Sequence, residues 1–596
     1  KEDLDKILSG ISGNDILIIN NANLVYTYPR SLEFVRKAGL VVYIGTQVDE
    51  TASMSDWMLP ANYYLESWGD YEPYAGLRSI MQPVMTPGYR TLSTGDILIT
   101  LSNALGNKLK RPSSEKSFST FREWFNDYWN NTQKQTGPSA NTFMEDALRT
   151  GGIWNLAAQN LQSTAVSLQS LNPEGKTPQD NSSKLWLWPE ITLFDGRLSN
   201  RGWMQEIAEP VDFISWNSWI DVNPALAEKL DLSNNDFLEI ESGSVKIKAP
   251  VNITDAVEEN TICLPFGQGH TALGHNARER GVNAFSLAGE NFSNPVAGIK
   301  ISKVHGLMKL SYMAKTKEQH ARKIIKWIEL SKLRQIKPEE AEHLILPLPE
   351  GYQPDRDLYP ARTYKDHRWA MVIDLQRCIG CAACTAACYA ENNIPVVGES
   401  EVEKGRELTW LKVVPYRSDE EEKKLGWIPM LCQHCDAAPC EPVCPVFAAV
   451  HNEEGLNAQI YNRCIGTRYC SNNCPYKVRR FNWLNYEFKS PLEVQLNPEV
   501  TVRARGVMEK CTFCVQRIRN AEYHAKNENR KLMEGEIVTA CQQTCPTNAI
   551  TFGDLLDNNS MVSRLTRNDL RRYHLLEELN TKPAVTYLKR INNNES

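Results

Sequence analysis

Cysteine is the residue type that points most clearly to chemistry in this sequence. The chain of 596 residues holds 16 cysteines, and all of them except Cys263 lie between Cys378 and Cys545. A disulfide framework is typical of a short secreted chain, not of one segment in a large chain. Such clustering therefore indicates metal or iron–sulfur ligation.

The cysteines form four runs whose spacing resembles the C-x2-C-x2-C-x3-C-P run of bacterial ferredoxins. The runs are Cys378-x2-Cys381-x2-Cys384-x3-Cys388; Cys432-x2-Cys435-x4-Cys440-x3-Cys444-Pro445; Cys464-x2-Thr467-x2-Cys470-x3-Cys474-Pro475; and Cys511-x2-Cys514 followed by Cys541-x3-Cys545-Pro546. Gaps of two residues in a tight loop aim the sulfurs at one cluster, while backbone N–H groups offset its negative charge. We expect the last cysteine of a run to start a helix that leads to a neighbouring cluster.

A crossed arrangement follows if three thiolates of a run hold one cluster and the fourth thiolate serves its partner. The predicted sets are Cys378, Cys381, Cys384 and Cys545 (4Fe–4S); Cys388, Cys511, Cys514 and Cys541 (4Fe–4S); Cys432, Cys435, Cys440 and Cys474 (4Fe–4S); and Cys444, Cys464 and Cys470 (3Fe–4S). Thr467 stands where the last set needs a fourth ligand, and its neutral hydroxyl binds iron poorly. A 4Fe–4S cluster whose odd iron takes water or the threonine oxygen is the alternative.

Other interpretations of these residues remain open from the sequence. Zinc also uses C-x2-C pairs, although it does not need this repeated rhythm. His434 is interpreted as a helper near a cluster sulfur or a partner. Lys477, Arg479 and Arg480 offset cluster charge, face a partner, or form a solvated patch. Cys263, in an apolar strand, is expected to be a buried structural thiol.

The elements that must position these residues fall into several regions. Ile16–Ile19 and Leu40–Ile44 predict strands of a mainly parallel sheet, and Phe237–Glu241 with Val245–Lys248 predicts a hairpin. A basic helical pattern covers 319–332. The predicted domains are an α/β region at 1–205 with an insertion at 111–205, a small β-rich domain at 206–305, a helical and Pro-rich linker at 306–365, the cysteine domain at 366–560 and a C-terminal tail at 561–596 that wraps a neighbour or frays.

Composition narrows the class of protein. The net charge of −6 and pI of about 6.0 argue against a nucleic-acid binder. No apolar run approaches the ~18 residues that suggest a transmembrane helix, so a membrane role would come through a partner. The chain opens on Lys1 without a signal-peptide pattern. We expect either a processed N-terminus or further residues upstream.

The cysteine domain resembles the four-cluster iron–sulfur subunits of the dimethyl-sulfoxide, polysulfide and nitrate reductase group. The motifs that carry this resemblance are Ala370–Cys381, Cys432-Gln-His-Cys435, Arg463–Cys470, Glu509–Cys514 and Cys545–Asp554. Family members have cysteine at the position of Thr467. The nitrate reductase subunit also loses a cysteine in this run, and its 3Fe–4S cluster lies nearest the membrane subunit.

The front half resembles the C-terminal portion of molybdopterin oxidoreductases. The matching residues are Glu50-Thr-Ala52, Ser55-Asp56, Leu59-Pro60, Glu66, Val222-Asn-Pro224, Asn235-Asp236 and Phe266–Gly269. The resemblance implies a multidomain α/β fold with a β-barrel domain at 206–305, followed by an α+β double ferredoxin-type domain. The family's segment that supplies the molybdenum ligand is absent from this sequence, so no molybdenum cofactor is expected.

The fusion of both parts resembles the large iron–sulfur subunit of alternative complex III, a bacterial quinol-oxidising complex. This resemblance implies polytopic quinol-binding membrane subunits, multihaem and monohaem cytochrome c subunits and a terminal oxidase as partners. It also implies a peripheral position on the periplasmic face of the inner membrane. The chain would relay electrons and have no substrate site of its own.

Two other functions remain as alternatives. In a molybdopterin-dependent reductase of the polysulfide or tetrathionate type, upstream residues would supply the molybdenum ligand. In a scaffold, the clusters would be structural only.

Overall fold

The computed structural model describes residues 2–74, 77–106, 117–132, 143–154, 183–288, 295–314, 316–337, 359, 362–419 and 424–592. Much of the predicted insertion lies outside these residues, as does the segment 338–358 of the predicted linker. The chain separates into two compact units. The first unit comprises Lys1–Ser183, Gly269–Glu279 and Asn283–Ile299, and the second comprises Lys184–Gln268, Arg280–Val282 and Lys300–Ser596.

The first unit contains the predicted parallel sheet. Ile16–Asn20 pairs with Leu40–Gly45, which pairs with Trp57–Pro60, all in parallel. This pairing confirms both strand predictions. Ile19 and Val41, one from each strand, are buried in one apolar cluster. A second, antiparallel sheet consists of Gly69–Tyr74, Leu77–Met81 and Gly152–Trp154. The helices of this unit are Glu2–Ser9, Leu24–Thr27, Ser31–Val35, Glu50–Ser53, Tyr64–Glu66 (3-10), Thr94–Ala104, Phe121–Thr132, Phe143–Thr150, Gly274–Ala277 and Ala284–Leu287 (3-10).

The second unit opens with a six-stranded mixed sheet. Its strands, in spatial order, are Lys300–Leu307, Asp236–Ser242, Val245–Ile253, Ile220–Val222, Thr261–Phe266 and Lys184–Pro189. The predicted hairpin is confirmed: Ser242 pairs with Val245, and Gly243 in the turn between them has a φ of +58°. No closed ring of strands is found within the described residues, so the β-barrel expectation is not supported by this sheet.

The cysteine domain is organised around a four-stranded sheet, and the C-terminal segment is part of it. The strand Val585–Leu588 lies parallel to Trp369–Asp374, which also pairs with Ile550–Asp554. All four residues of Val585–Leu588 are buried. The expectation that 561–596 frays or wraps a neighbour therefore does not describe this strand, which is an inner strand of its own domain.

The basic segment 319–332 also differs from its prediction. Only its last residues are helical, in Leu330–Leu333, and Trp327–Glu329 is a strand. His320, Ala321 and Lys323 have positive φ, which a right-handed helix excludes. Its strand pairs with Arg590–Asn592, so a distant partner outweighs the local helical pattern.

The remaining elements of this unit lie before, between and after the cysteine runs. The strands are Ile214–Ser215, Ser311–Tyr312, Lys412–Arg417, Leu425–Met430, Ala449–His451, Asn457–Gln459, Arg480–Phe481, Met508–Glu509 and Arg572–Tyr573. The helices are Gly202–Glu206, Pro224–Lys229, Ala383–Glu391, Glu399–Glu403, Tyr461–Arg463 (3-10), Tyr469–Asn473, Leu492–Gln495 (3-10), Val515–Asn527, Ala540–Thr544, Met561–Asn568 and Glu577–Leu579 (3-10).

Candidate iron–sulfur centres

The first and third cysteine runs adopt the same local backbone. Gly380 and Gly466 have φ of +76° and +73°, and Ala382 and Arg468 have φ of +57° and +63°. In each loop, left-handed residues turn the chain so that several peptide N–H groups face one side. This is the geometry that the two-residue spacing predicts for a loop around an anionic group.

The glycines in these loops are required by close contacts as well as by φ. A Cβ on Gly380 would lie 2.6 Å from the ring of Trp427, and one on Gly466 would lie 2.4 Å from the carbonyl oxygen of Gly506. These distances are shorter than non-bonded carbon atoms tolerate. The sequence Cys-Ile-Gly thus encodes the turn in both runs.

The helices differ from the expectation that the last cysteine starts a helix. Cys388 lies inside the helix Ala383–Glu391, and Cys474 follows the end of Tyr469–Asn473. The expectation is wrong for these two runs. The helix begins before the last cysteine, so that Cys388 and Cys474 are carried away from the loop by a helical turn.

The three Cys-Pro turns form a second recurrent shape. The third residue after the cysteine has positive φ in each turn, at Phe447, Lys477 and Asn548. The N–H of Ala448 donates to the Sγ of Cys444 at 3.2 Å. The N–H of Ala549 donates to the Sγ of Cys545 at the same distance. At Cys444 and Cys545, the turn therefore places a backbone N–H group where it favours a negatively charged sulfur.

The pKa values of these two thiols show the effect. Burial raises the pKa of Cys444, but the N–H groups of Val446, Ala449 and Ala448 outweigh it, and the pKa is lowered. In the same way the N–H of Ala549 leads the groups that lower the pKa of Cys545 against burial. A lowered thiol pKa favours the thiolate, which is the form that ligates metal.

The four predicted ligand sets are called the first to the fourth group in the order given above, and in each of them neighbouring thiols affect the pKa of one cysteine. In the first group, burial raises the pKa of Cys384, and neighbouring thiols raise it further. In the second, burial and three neighbouring thiols raise the pKa of Cys388. Burial and neighbouring thiols likewise raise the pKa of Cys435 in the third group. In the fourth, burial and two neighbouring thiols raise the pKa of Cys470, which the charge of Arg479 opposes.

The thiols that act on these four cysteines include the other members of each predicted set, although Cys541 of the second set acts most strongly on Cys384. The predicted sets, numbered first to fourth, are Cys378, Cys381, Cys384 and Cys545; Cys388, Cys511, Cys514 and Cys541; Cys432, Cys435, Cys440 and Cys474; and Cys444, Cys464 and Cys470. That each group holds a cluster stays a prediction. Cys263 is half-buried in the strand Thr261–Phe266, where burial raises its pKa to about 12.

The four groups form a series in space. Cys541 of the second group is among the neighbours that raise the pKa of Cys384 in the first. Cys432 of the third group acts in the same way on the pKa of Cys511 in the second. The charge of Arg479 reaches thiols of both the third and the fourth group. These neighbours link the first group to the second, the second to the third, and the third to the fourth.

The surroundings of the thiols fit an anionic cluster. Cys432, Cys435, Cys440 and Cys474 line one small cavity, and Arg479 is among the other residues of its lining. Soft thiolates are the ligands that iron–sulfur clusters use. Within the described residues, no set of three or more His, Cys, Asp or Glu side chains is drawn close enough to hold a single metal ion.

Thr467 lies on an open side of the fourth group. It is exposed and lines a pocket of about 450 Å³. The basic residues in this lining are Arg406, Arg468, Lys477, Arg479 and Arg480. Glu407 also lines the pocket, and its carboxylate accepts hydrogen bonds from Lys412 and Arg480. The corner that lacks a cysteine thus opens onto a strongly cationic pocket.

The auxiliary residues fall in different environments. His434 is fully buried, accepts the N–H of Asn457 on its Nδ1 at 3.1 Å and stacks on Phe513. It therefore faces no partner, and a role toward a cluster sulfur stays a prediction. Lys477 is exposed, whereas Arg479 is only 4% exposed. A solvated patch is therefore the wrong interpretation for Arg479.

Sequence reasoning missed three buried charged residues beside the cysteines. Lys510 is fully buried, and its ammonium donates to the carbonyl of Cys511 at 2.7 Å. Arg503 and Glu509 form a fully buried ion pair at 2.9 Å. The sequence Glu509-Lys510-Cys511 could have indicated these buried charges. Two adjacent charged residues beside a cysteine that is expected to be buried need hydrogen-bond or ion-pair partners inside the protein.

Comparisons with known proteins agree with this architecture. Residues 195–299 match the Molydopterin dinucleotide binding domain. Residues 423–492 match one 4Fe-4S dicluster domain family, and residues 377–448 and 463–549 match another. The cysteine domain is therefore an iron–sulfur domain of the 4Fe–4S type that follows a molybdopterin-binding domain.

Several characterised proteins are similar over more than a third of the chain. "Menaquinone reductase, iron-sulfur cluster-binding subunit" of Nitratidesulfovibrio vulgaris is 42% identical over 37% of this chain and 89% of its own length. "Hdr-like menaquinol oxidoreductase iron-sulfur subunit 1" of Archaeoglobus fulgidus is 34% identical over 39% and 86%. A tetrathionate reductase subunit of Salmonella typhimurium is 32% identical over 37% and 72%.

The described residues also bear on membrane crossing. None of the helices in the described ranges is long and apolar enough to pass through a bilayer.

Proposed function

The chain belongs to the family of iron–sulfur subunits of menaquinone and molybdoenzyme-type reductases, and from this membership we propose that it is the electron-transfer subunit of a quinol-oxidising respiratory complex of the alternative complex III type. It makes and breaks no substrate bond. Its work is to hold clusters, set their potentials and fix their spacing.

The observation that carries this proposal is the series of four cysteine groups. The proposed ligands of three 4Fe–4S clusters are the first three groups, and those of a 3Fe–4S cluster are Cys444, Cys464 and Cys470. Bound clusters supply one-electron transfer between neighbouring centres. The chain's own residues keep these centres in order, because helices such as Ala383–Glu391 carry the last cysteine of a run into the next group.

The fourth group is the proposed point of electron entry. Around it, Phe447, Ile465 and Tyr469 are 69%, 65% and 56% exposed. Large apolar side chains grouped on a surface favour contact with another protein. We place the polytopic quinol-binding membrane subunit there, on the periplasmic face of the inner membrane, and cytochrome c subunits as the acceptors.

The molybdopterin-binding region is proposed to act as a scaffold. Glu206, at the end of the helix Gly202–Glu206, accepts the hydroxyl of Tyr389 at 2.8 Å and the N–H of Val397 at 2.8 Å. Tyr389 follows Cys388 directly, so this region braces the first cysteine run. A bracing role needs no molybdenum, and no residue of the chain is assigned to that metal.

A reductase of the tetrathionate type is the second candidate, favoured by the similarity to the tetrathionate reductase subunit. Elemental analysis of the purified native complex separates the two. We expect about fifteen non-haem iron atoms per chain, the content of three 4Fe–4S clusters and one 3Fe–4S cluster, without molybdenum. About one molybdenum per chain would assign the chain to the reductase instead, and zinc in place of iron would contradict both.

A further inference from the structure

Arg479 lies between the third and the fourth cysteine group. It follows the turn Cys474-Pro475 and precedes the strand Arg480–Phe481. Its backbone carbonyl accepts the hydroxyl of Ser471 at 3.1 Å, which ties this position to the helix of the third run. The side chain is therefore held at one place relative to both groups.

The guanidinium group of Arg479 is buried with most of its hydrogen-bonding capacity unused. Its Nη2 donates to the Oε1 of Gln459 at 2.9 Å. Among the described residues, none accepts from its Nε or Nη1, although both atoms are buried. A buried cation with unpaired donors is costly unless an anion lies opposite. The anions that the surrounding residues supply are the thiolates of the two groups.

Arg479 faces both groups at once. It lines the small cavity walled by Cys432, Cys435, Cys440 and Cys474, and it also lines the pocket that contains Thr467. The side chain thus borders the cysteines of the third group and the open corner of the fourth.

The neighbouring cations do not share these features. Lys477 is exposed and donates to the carbonyl of Asn472. Arg480 is paired with Glu407, and Arg468 is exposed against the rings of Phe481 and Trp483. Water screens an exposed charge, whereas a buried charge keeps most of its effect.

We propose that Arg479 is a positioning residue whose single positive charge is shared by the third and fourth centres and raises the reduction potential of both. Each centre gains one negative charge when it takes up one electron. A fixed cation between them stabilises the reduced form of each one. No bond is formed or broken at Arg479, and no proton moves. The proposal rests on the proposed electron-transfer function and deepens it.

The test uses the purified complex with its clusters, titrated potentiometrically and followed by electron paramagnetic resonance. In Arg479→Gln, the reduction equilibrium constants of the third and fourth centres should each fall at least tenfold, which is about 59 mV for a one-electron couple. The first and second centres serve as controls within the same sample and should not change. A shift in only one centre, or in neither, would overturn the proposal.

Two further variants separate charge from structure. Gln459→Glu keeps Arg479 and places a carboxylate against its Nη2, so both potentials should again fall. This variant carries the test if Arg479→Gln does not assemble, and unchanged potentials in it would contradict a shared charge. Lys477→Gln removes an exposed cation two residues away and should leave both potentials near their original values. An equal shift in this control would mean that any nearby cation suffices, which would also overturn the proposal.

The outcome is independent of quinol oxidation. Potentials are read from the centres themselves, so Arg479 can be tested in a complex that turns over no quinol. If the clusters were absent, elemental analysis would find no iron. That result would contradict the proposed function, whereas unchanged potentials in an iron-containing complex would contradict the role of Arg479.

Discussion

The loops 378–388 and 464–474 have the same turn but different chemistry at one corner. Both contain Cys-Ile-Gly followed by cysteines at equal spacing, and their positive-φ residues occupy equivalent positions. Cys381 is half-buried in the first loop, whereas Thr467 is exposed at the matching position of the second. The glycine and the cysteine spacing therefore determine the backbone of both loops. The side chain at position 381 or 467 determines which cluster the loop can bind.

The two loops are also supported differently. The helix after the first loop has nine residues and is tied through Tyr389 to the buried carboxylate of Glu206. The helix after the second loop has five residues and ends before Cys474-Pro475. The first loop is therefore anchored on a second region of the chain, while the second loop presents its residues to solvent or to a partner.

The largest expected effect comes from making the second loop chemically like the first. Thr467→Cys should add one iron per chain, convert the fourth centre to 4Fe–4S and lower its potential, so that quinol oxidation slows. The iron content, the oxidised-state 3Fe–4S resonance signal and the steady-state rate measure this change. A 3Fe–4S signal that persists unchanged would contradict the cluster assignment at this loop.

Placing threonine in the first loop, as in the second, should change the cluster of that loop alone, and the change should be large. Cys381→Thr removes one thiolate from the first centre, so a new oxidised-state 3Fe–4S signal should arise with loss of about one iron per chain, since cubane clusters use four cysteine ligands. Cys263→Thr is the control, because Cys263 lies in a strand of the six-stranded sheet. An unchanged spectrum in Cys381→Thr would mean that Cys381 is not a ligand.

Replacing the loop glycines by alanine should lower the stability of the protein by different amounts in the two loops, and this effect should be smaller than the loss of a ligand. Gly466→Ala should lower the free energy of unfolding by about 2–5 kcal/mol, because left-handed strain adds about 1–2 kcal/mol and overpacking against a backbone carbonyl about 1–3 kcal/mol. Gly380→Ala should cost less, since the atom nearest to its Cβ belongs to the Trp427 side chain at 2.6 Å, whereas the atom nearest to that of Gly466 is a backbone oxygen at 2.4 Å. Gly405→Ala, with a φ of +70° and open space around it, isolates the strain alone. Thermal unfolding of the three variants should follow this order, and equal losses would show that the contacts do not matter.

The smallest expected effect is a pH dependence of the stability of the helix Ala383–Glu391, which belongs to the first loop. Burial raises the pKa of Glu206 from 4.5 to about 7, against the opposing effect of its hydrogen-bond donors. The folded state therefore holds the proton more tightly than the unfolded state, so stability decreases as pH rises from about 4.5 to about 7. Glu206→Gln should flatten this slope in hydrogen-exchange protection of Ala383–Glu391. The helix Tyr469–Asn473 is the internal control, and a slope common to both helices would point to another group.

Local sequence was sufficient for the features that depend on neighbours along the chain. The spacing of the cysteines predicted tight loops, and the structure has them with left-handed residues at Gly380 and Ala382 and at Gly466 and Arg468. The grouping of the thiols into clusters stays a prediction. The strands at Ile16 and Leu40 and the hairpin around Gly243 were predictable from periodicity and turn residues. The presence of Thr467 instead of cysteine was equally visible in the sequence.

Tertiary structure decided the features that depend on partners far along the chain. Residues 319–332 have a helical pattern, yet Trp327–Glu329 pairs as a strand with Arg590–Asn592. The polar C-terminal segment supplies the inner strand Val585–Leu588, because the edge of Trp369–Asp374 needs backbone partners. Arg479 looked like one member of a basic patch, and only the fold shows it buried between two cysteine groups. Burial and long-range pairing are properties of the packed chain, which is why residue type and spacing alone did not reveal them.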